Sequence, residues 1–291
     1  MKPAPFEYHA PGTAEEVVSL LAELGDEAKV LAGGQSLVPI LALRLSAFDH
    51  LVDLRRVGEL RGIERVNGSV RIGAATTQAT IERSSEVAAA VPLLARSTPF
   101  IGHFQIRNRG TIGGSLAHAD PAAEYPAVAL ALDASVEVLS SSGSRTVPAA
   151  ELFEGMWTTA IDDDELLKAV TFPVWDGRCG FAVEELARRH GDFALAGACV
   201  AVALDAANRI ERCGISLFGL GSTPFRAKEA ETSVLGRVVD DVISEDVGRE
   251  AVDGIQGIAS DIHGSADYRR HVGAVMAGRA WQRAIEEARG G

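Results

Sequence analysis

Two short stretches of the sequence carry backbone chemistry that suits an anion. Each has a glycine pair beside small polar residues, and the first stretch follows an apolar run. Glycine lacks a Cβ, so its N–H group can approach an anion closely, and successive N–H groups in a turn form a cradle for phosphate. Two such stretches could hold a diphosphate from both sides. Their residues are Ala32, Gly33, Gly34, Gln35 and Ser36 in the first, and Thr111, Ile112, Gly113, Gly114 and Ser115 in the second.

Two acidic residues follow the second stretch. Asp120-Pro121 predicts an N-cap with proline at the first helical position, so a helix should begin at Pro121 and direct its positive end toward the glycines. Glu124 would then lie in the first turn, where its carboxylate could accept hydrogen bonds from a ribose diol. The alternative is that Asp120 only caps the helix and that Glu124 only complements the helix dipole.

Other chemistries have little support in the sequence. There is no Walker A loop, no G-x-G-x-x-G and no G-x-S-x-G, and Ser36 and Ser115 suit phosphate binding better than nucleophilic attack. We expect no catalytic residue in this chain; the general-base candidates near the glycines are His103 and His118. We also expect no metal ligand, because neither the histidine spacing nor the cysteine spacing fits a metal or cluster site. The residues concerned are His103, His118, His190, His263, His271, Cys179, Cys199 and Cys213.

Composition limits the partners and the compartment. The 291 residues carry a formal net charge of −12, which argues against nucleic acid and anionic membranes as partners. An anionic cofactor is still possible, because backbone dipoles and the nearby Arg107 and Arg109 can bind a diphosphate locally. The odd cysteine count, the N-terminus without an apolar signal region and the lack of a membrane-spanning run predict a soluble cytoplasmic protein.

The hydrophobic pattern predicts three regions. Residues 1–55 form an α/β unit, in which Thr13 caps a helix that ends at Gly25 and a second helix covers residues 37–45. Residues 56–176 form an α+β region with a hairpin at Asn67-Gly68. Residues 177–291 form a small antiparallel sheet with helices packed on it, including a helix capped at Thr223-Pro224.

Three stretches of the sequence also carry a family resemblance. AGGQS at 32–36, TIGGSLAHADPAAE at 111–124 and GDFALAGACVAV at 191–202 resemble the FAD-binding medium subunit of molybdenum hydroxylases of the carbon monoxide dehydrogenase and xanthine dehydrogenase type. The likeness covers nearly the whole chain. It implies an α+β fold with a two-lobed FAD-binding domain of the PCMH (vanillyl-alcohol oxidase-like) type, followed by the C-terminal sheet-and-helix domain.

The resemblance assigns roles to the residues named above. The two glycine stretches would wrap the FAD diphosphate, and Asp120 and Glu124 would help to hold the cofactor's sugar or phosphate region. Phe193 would lie against the isoalloxazine; the alternative for Phe193 is core packing. The sequence departs from the family pattern in two places, with Phe193 where some members have tyrosine and Glu185 where many have lysine.

The function implied is that of an oxidoreductase subunit. The chain would take electrons from a two-iron two-sulfur small subunit, fed by a molybdenum-cofactor large subunit, and pass them through FAD to an external acceptor. One alternative is a stand-alone FAD-dependent oxidase or dehydrogenase of a small organic substrate. A second is a flavin-free interaction subunit whose glycines are structural.

Overall fold

The first region is a three-stranded parallel sheet covered by a helix. The computed structural model describes residues 2–290. The sheet order is β1-β3-β2, and α1 packs Val17 and Leu21 against it. The Thr13 hydroxyl accepts a hydrogen bond from the Glu16 N–H at 3.1 Å, as the capping motif predicted. The elements are β1 (Glu7–His9), α1 (Ala14–Leu24), β2 (Ala28–Leu31), α2 (Leu37–Ala42) and β3 (His50–Asp53).

The second helix of this region is shorter than predicted. It ends at Ala42 because Arg44 takes a left-handed backbone conformation, with φ of 56°. Leu43 and Leu45, which continued the apolar pattern, are 54% and 74% exposed. Their hydrophobicity therefore reflects a surface feature and does not indicate a buried helical face.

The middle region is a five-stranded antiparallel sheet with helices packed against it. The sheet order is β4-β5-β10-β6-β7, and a separate two-stranded sheet pairs β8 with β9. The predicted hairpin is present, with Asn67 and Gly68 both at positive φ. The elements are β4 (Ile63–Val66), β5 (Ser69–Gly73), α3 (Gln78–Glu82), α4 (Ser85–Ala90), α5 (Pro92–Ser97), α6 (Phe104–Arg107), α7 (Ile112–His118), α8 (Glu124–Ala131), β6 (Ser135–Ser140), β7 (Gly143–Pro148), α9 (Ala149–Leu152), β8 (Phe153–Gly155), β9 (Thr158–Thr159) and β10 (Leu166–Pro173).

The helix predicted to begin at Pro121 was wrong. The second glycine pair lies inside α7, which Ala119 ends in a left-handed conformation, and the next helix, α8, begins at Glu124. Asp120 is not a helix N-cap. Its Oδ1 accepts the Ala122 N–H at 2.9 Å and its carbonyl accepts the Ala123 N–H at 3.0 Å, which makes a turn between the two helices.

The C-terminal region is a four-stranded antiparallel sheet between two layers of helix. All nine residues of β12 are buried, as predicted for a strand covered on both faces. Cys199 and Ala201 face the core shared with α8, whereas Val200 and Val202 face α12. The elements are β11 (Arg178–Leu186), β12 (Ala196–Leu204), β13 (Ile210–Phe218), β14 (Phe225–Arg226), α10 (Lys228–Val234), α11 (Ser244–Asp253) and α12 (Ala266–Gly290).

One boundary in this region was also wrong. Thr223-Pro224 does not begin a helix, because Phe225 and Arg226 pair with β13 as the edge strand β14, and α10 begins only at Lys228. Short 3-10 helices complete the fold at Gly25–Glu27, Leu54–Arg56, Gly58–Leu60, Thr98–Phe100 and Val239–Asp241.

The α+β organisation with a C-terminal sheet-and-helix region confirms the predicted fold class. None of the helices within residues 2–290 has both the length and the apolar character that a membrane crossing requires.

Candidate functional site

The two glycine stretches lie against each other. A Cβ added to Gly33 would lie only 2.2 Å from the backbone oxygen of Arg109 and 2.8 Å from Gly110 Cα. A Cβ added to Gly114 would lie 3.4 Å from the Cβ of Ala32. Glycine is therefore required at position 33 for the two segments to meet, and chain positions about 80 residues apart form one continuous surface.

The first stretch presents unused amide groups. In the described part of the chain, the N–H groups of Gly33, Gly34, Gln35 and Ser36 donate to no protein acceptor. Gly34 has φ of 73°, and the Gln35 side-chain amide donates to the Gly33 carbonyl at 3.1 Å, which holds the turn. Four successive amide donors that the protein leaves unpaired fit an anionic ligand such as a diphosphate.

The second stretch uses its amides within the protein. Thr111 caps α7 with its hydroxyl, and Ile112 and Gly113 are buried against the strand-end segment at Ala74. Its contribution to a ligand is therefore limited to the surface at Gly114 and the side chain of Ser115. From Ile112 to Ser115 the amide acceptors are, in order, Thr76 O (3.1 Å), Ala74 O (2.9 Å), Thr111 Oγ1 (3.0 Å) and Thr111 O (3.1 Å).

The arginines beside the second stretch differ in their availability. Arg107 is buried and makes two hydrogen bonds to the Glu82 carboxylate, at 2.9 and 3.0 Å, so it is committed to the protein and does not suit a diphosphate. Arg109 is exposed, and its backbone forms the contact with Gly33. Of the two, only Arg109 is placed to add positive charge to an anion at the glycine stretches.

Asp120 lies in a small aromatic cluster that the sequence did not predict. Its Oδ2 accepts a hydrogen bond from Trp157 Nε1 at 3.4 Å and lies 4.0 Å from His118 Nε2. The rings of His118 and Trp157 are stacked, with centroids 6.3 Å apart. Burial lowers the pKa of His118, although the Asp120 carboxylate acts in the opposite direction. Trp157 is not part of a sequence motif. The β8–β9 hairpin places it beside Ala119, and the Ala119 carbonyl accepts a hydrogen bond from the Trp157 backbone N–H.

Glu124 on α8 is buried and Glu185 on β11 is partly buried, and the two carboxyl groups are close enough to interact electrostatically. Glu124 is only 8% exposed, and burial, together with the Glu185 and Asp120 carboxylates, raises its pKa to about 8. Burial raises the pKa of Glu185 to about 7, and its Oε2 has no hydrogen-bond partner among residues 2–290. Glu124 is therefore a buried acid at the junction with the C-terminal sheet, away from open solvent.

Phe193 is 71% exposed, so the core-packing alternative for this residue was wrong. Its loop lies on the segment before α6: a Cβ added to Gly191 would be 3.1 Å from the Gly102 backbone, and the rings of His103 and His190 are 5.8 Å apart. An exposed aromatic ring on this loop could cover a flat ligand.

Comparison with known proteins identifies the family. Residues 4–175 match the FAD binding domain in molybdopterin dehydrogenase, and residues 181–284 match the CO dehydrogenase flavoprotein C-terminal domain. The 6-hydroxypseudooxynicotine dehydrogenase complex subunit alpha of Paenarthrobacter nicotinovorans is 41% identical, over 99% of this chain and 97% of the relative.

Comparison with solved structures supports the same family assignment. Carbon monoxide dehydrogenase from Hydrogenophaga pseudoflava has a chain of 37% identity and TM-score 0.94, with 99% of each chain covered. Quinoline 2-oxidoreductase from Pseudomonas putida 86 gives 35% identity and TM-score 0.93, again with 99% of each chain covered. The glycine stretches, the two-part fold and these full-length similarities together show that this chain belongs to the FAD-binding medium subunits of the molybdenum hydroxylases.

Proposed function

We propose that this chain binds one FAD across the two glycine stretches and acts as the electron-transfer subunit of a molybdenum-containing dehydrogenase complex. The single observation that carries the site assignment is the run of unpaired amides from Gly33 to Ser36, held against the second stretch by the Gly33–Arg109 contact. FAD supplies a centre that exchanges electrons singly or in pairs, and can thereby join a one-electron donor to a two-electron acceptor.

Different residues of the chain would bind different parts of the cofactor. The amides of residues 33–36 donate to the diphosphate, with Ala32 and Gly114 forming the close-packed floor and Ser115 offering a hydroxyl. Thr111, Ile112 and Gly113 act indirectly, because they fix α7 against Ala74. Asp120, with Trp157 and His118, provides polar and aromatic surface for the sugar region.

Phe193 would act at the flavin end, and Glu124 would act on the sugar region. Phe193 is exposed on a loop that rests on Gly102 and His103, so its ring can lie against the isoalloxazine and exclude water from one face. Glu124 is buried where α8 packs on the C-terminal sheet, so its contribution to the sugar region is through positioning of the turn at Asp120.

The partners are an iron–sulfur small subunit and a molybdenum-cofactor large subunit. Relatives are named as subunits or medium chains of complexes, including the nicotine 6-hydroxylase medium subunit and the carbon monoxide dehydrogenase medium chain. The three cysteines of this chain are free thiols on three different strands, two of them buried, a distribution that does not suit an iron–sulfur cluster. The metal centres would therefore lie on the other chains. These reduced thiols also suit a cytoplasmic location.

The chain alone should contain no stoichiometric iron or molybdenum. This follows because Cys179, Cys199 and Cys213 are distributed over β11, β12 and β13, and burial raises the pKa of Cys199 and Cys213, which disfavours thiolate ligation. Elemental analysis of the purified chain measures this directly. Stoichiometric iron in the isolated chain would contradict the assignment of the clusters to partner subunits.

The direction of electron flow tests the function. The FAD-loaded chain, mixed anaerobically with organic substrate, should show no flavin bleaching, whereas addition of the reduced iron–sulfur subunit should bleach it rapidly. A substrate panel follows from the names of relatives: carbon monoxide, caffeine and quinoline. Stopped-flow absorbance is the measurement. Rapid bleaching by a substrate with this chain alone would support the stand-alone oxidase or dehydrogenase, with His103 or His118 as the base.

A further inference from the structure

Three metal-binding side chains meet at one end of the N-terminal sheet, outside the flavin site. Glu7 and His9 are two positions apart on β1, so they project from the same face of the strand. β3 runs parallel to β1 with His50 opposite Glu7, which brings His50 to the same face. Residues 41 positions apart in sequence thus become neighbours through strand pairing, which no local spacing could reveal.

The donor atoms converge. His9 Nε2 lies 3.1 Å from His50 Nδ1, and His50 Nδ1 lies 3.6 Å from Glu7 Oε2. All three donor atoms lie within 4.8 Å of one another. A zinc ion bonded to each at roughly 2.0–2.1 Å would subtend about 98° between the two nitrogens and about 120° between nitrogen and oxygen, on either side of the tetrahedral angle.

Direct hydrogen bonds among the three side chains cannot pair all of them at once. His9 Nε2 and Glu7 Oε2 both face the same nitrogen, His50 Nδ1, and a neutral imidazole nitrogen carries at most one proton. His50 Nδ1 can therefore pair with only one of its two neighbours at a time. A single cation would satisfy all three groups together, and the side chains retain freedom to adjust, since Glu7 is 75% exposed.

The surroundings favour a cation. A groove beside His9 is lined by Glu15 and Glu16 at the start of α1, and the chain as a whole carries a net charge of −12. His50 begins β3, at the amino ends of the parallel strands, whereas the first glycine stretch follows the carboxyl end of β2. The cluster is thus at the opposite end of the sheet from the glycines.

We propose that Glu7, His9 and His50 bind one Zn²⁺ ion, with a fourth position open to the groove. Two imidazoles and one carboxylate are a common ligand set for zinc. The ion would join β1, a strand of three residues, to β3 and so hold the N-terminus of the chain on the sheet. The proposal does not depend on FAD, and it replaces the sequence-based expectation that the chain has no metal ligands.

The experiment uses the full FAD-loaded chain without a histidine tag. Zn²⁺ is titrated calorimetrically, and Co²⁺ is titrated by visible absorption, since tetrahedral cobalt has a distinctive band. One equivalent should bind, and His9→Ala should weaken the affinity by more than about tenfold, because loss of even an outer-shell partner costs 10- to 100-fold. His271→Ala, on an exposed face of α12, is the matched control and should bind as the wild type does.

A second variant separates binding from folding. Glu7→Gln removes a ligand charge from an exposed side chain and should leave the metal-free melting temperature unchanged while weakening Zn²⁺ binding. Zn²⁺ should raise the melting temperature of the wild type, because a ligand that binds only the folded state stabilises it, and this rise should shrink in both ligand variants. Equal affinities in wild type, His9→Ala and Glu7→Gln, or no saturable binding, would overturn the proposal.

Discussion

Gly33→Ala should leave the purified chain almost free of FAD. The added Cβ would lie 2.2 Å from Arg109 O and 2.8 Å from the Arg109 carbonyl carbon, and both are backbone atoms that cannot rotate away. The two glycine stretches would have to separate, and strain of this kind costs about 1–3 kcal/mol. That cost corresponds to roughly a 5- to 150-fold loss of FAD affinity if it falls on the bound geometry. The flavin-to-protein ratio and a titration of the apoprotein with FAD measure it.

Two other glycines provide graded controls. Gly58→Ala places its Cβ in open space, so full FAD content is expected. Gly34→Ala meets only the side chains of Val38 and Leu31, at 3.0 and 3.2 Å, but its φ of 73° costs about 1–2 kcal/mol for a residue with a Cβ. We expect an intermediate loss of FAD. Melting of the apoproteins separates loss of binding from loss of fold, and full FAD occupancy in Gly33→Ala would show that the contact between the stretches is not part of the site.

The elements that the sequence predicted correctly are those whose signals are local. The Thr13 cap and the Asn67-Gly68 turn depend on a few adjacent residues, and the structure contains both. The burial of β12 followed from a continuous run of small apolar residues. In each case the physical cause lies within the segment itself.

The errors concern segments whose partners come from elsewhere in the chain. The sequence predicted a loop at Gly113 and Gly114, but a helix forms through this glycine pair. The cause is that Ala74 and Thr76 accept amides of this segment and Thr111 caps it. Asp120 makes a turn where a cap was predicted. The local sequence does not show that the carbonyl groups of Ala74 and Thr76, at the end of a strand, will accept the amides of the second stretch.

The sequence also did not predict which charged residues would be buried. Arg107 was expected to face an anion, yet it binds Glu82 and the carbonyls of the preceding loop. Glu124 was expected at the surface of the cofactor site, and it is nearly fully buried opposite Glu185. A residue type gives its intrinsic polarity, whereas its burial depends on which sheet packs over its helix; here the C-terminal sheet covers α8.

The carboxyl pair predicts an unusual pH dependence of stability. An ordinary glutamate has a pKa of 4.5, whereas the folded protein raises that of Glu124 to about 8 and that of Glu185 to about 7. The folded state therefore holds protons that the unfolded chain has released between these pH values. The contribution of the pair to stability is fully present below about pH 4.5 and is lost as the pH rises through 7 to 8.

Glu185→Gln should remove much of the loss of stability that occurs as the pH rises. Glutamine resembles the protonated carboxyl group in shape but cannot ionise, so the variant should match the wild type near pH 4.5 and exceed its stability at pH 8.5 by about 1–3 kcal/mol. For domains of this size that is several degrees in melting temperature, at about 2–4 °C per kcal/mol. Glu229→Gln, on the exposed face of α10, is the matched control and should leave the pH profile unchanged.

Glu185→Lys makes the stronger test, because it places a positive charge where the wild type has a carboxyl group. A lysine at position 185 would favour the ionised Glu124 carboxylate, so the pKa of Glu124 should fall and the two charges should form an ion pair. Stability would then fall at acidic pH, as Glu124 gains a proton, and hold at pH 8.5, the opposite of the wild-type trend. Melting curves at several pH values for wild type, Glu185→Gln and Glu185→Lys follow both changes. If all three proteins showed the same pH profile, Glu124 and Glu185 would not share a buried environment, and the packing of the C-terminal sheet over α8 would have to differ from the arrangement described.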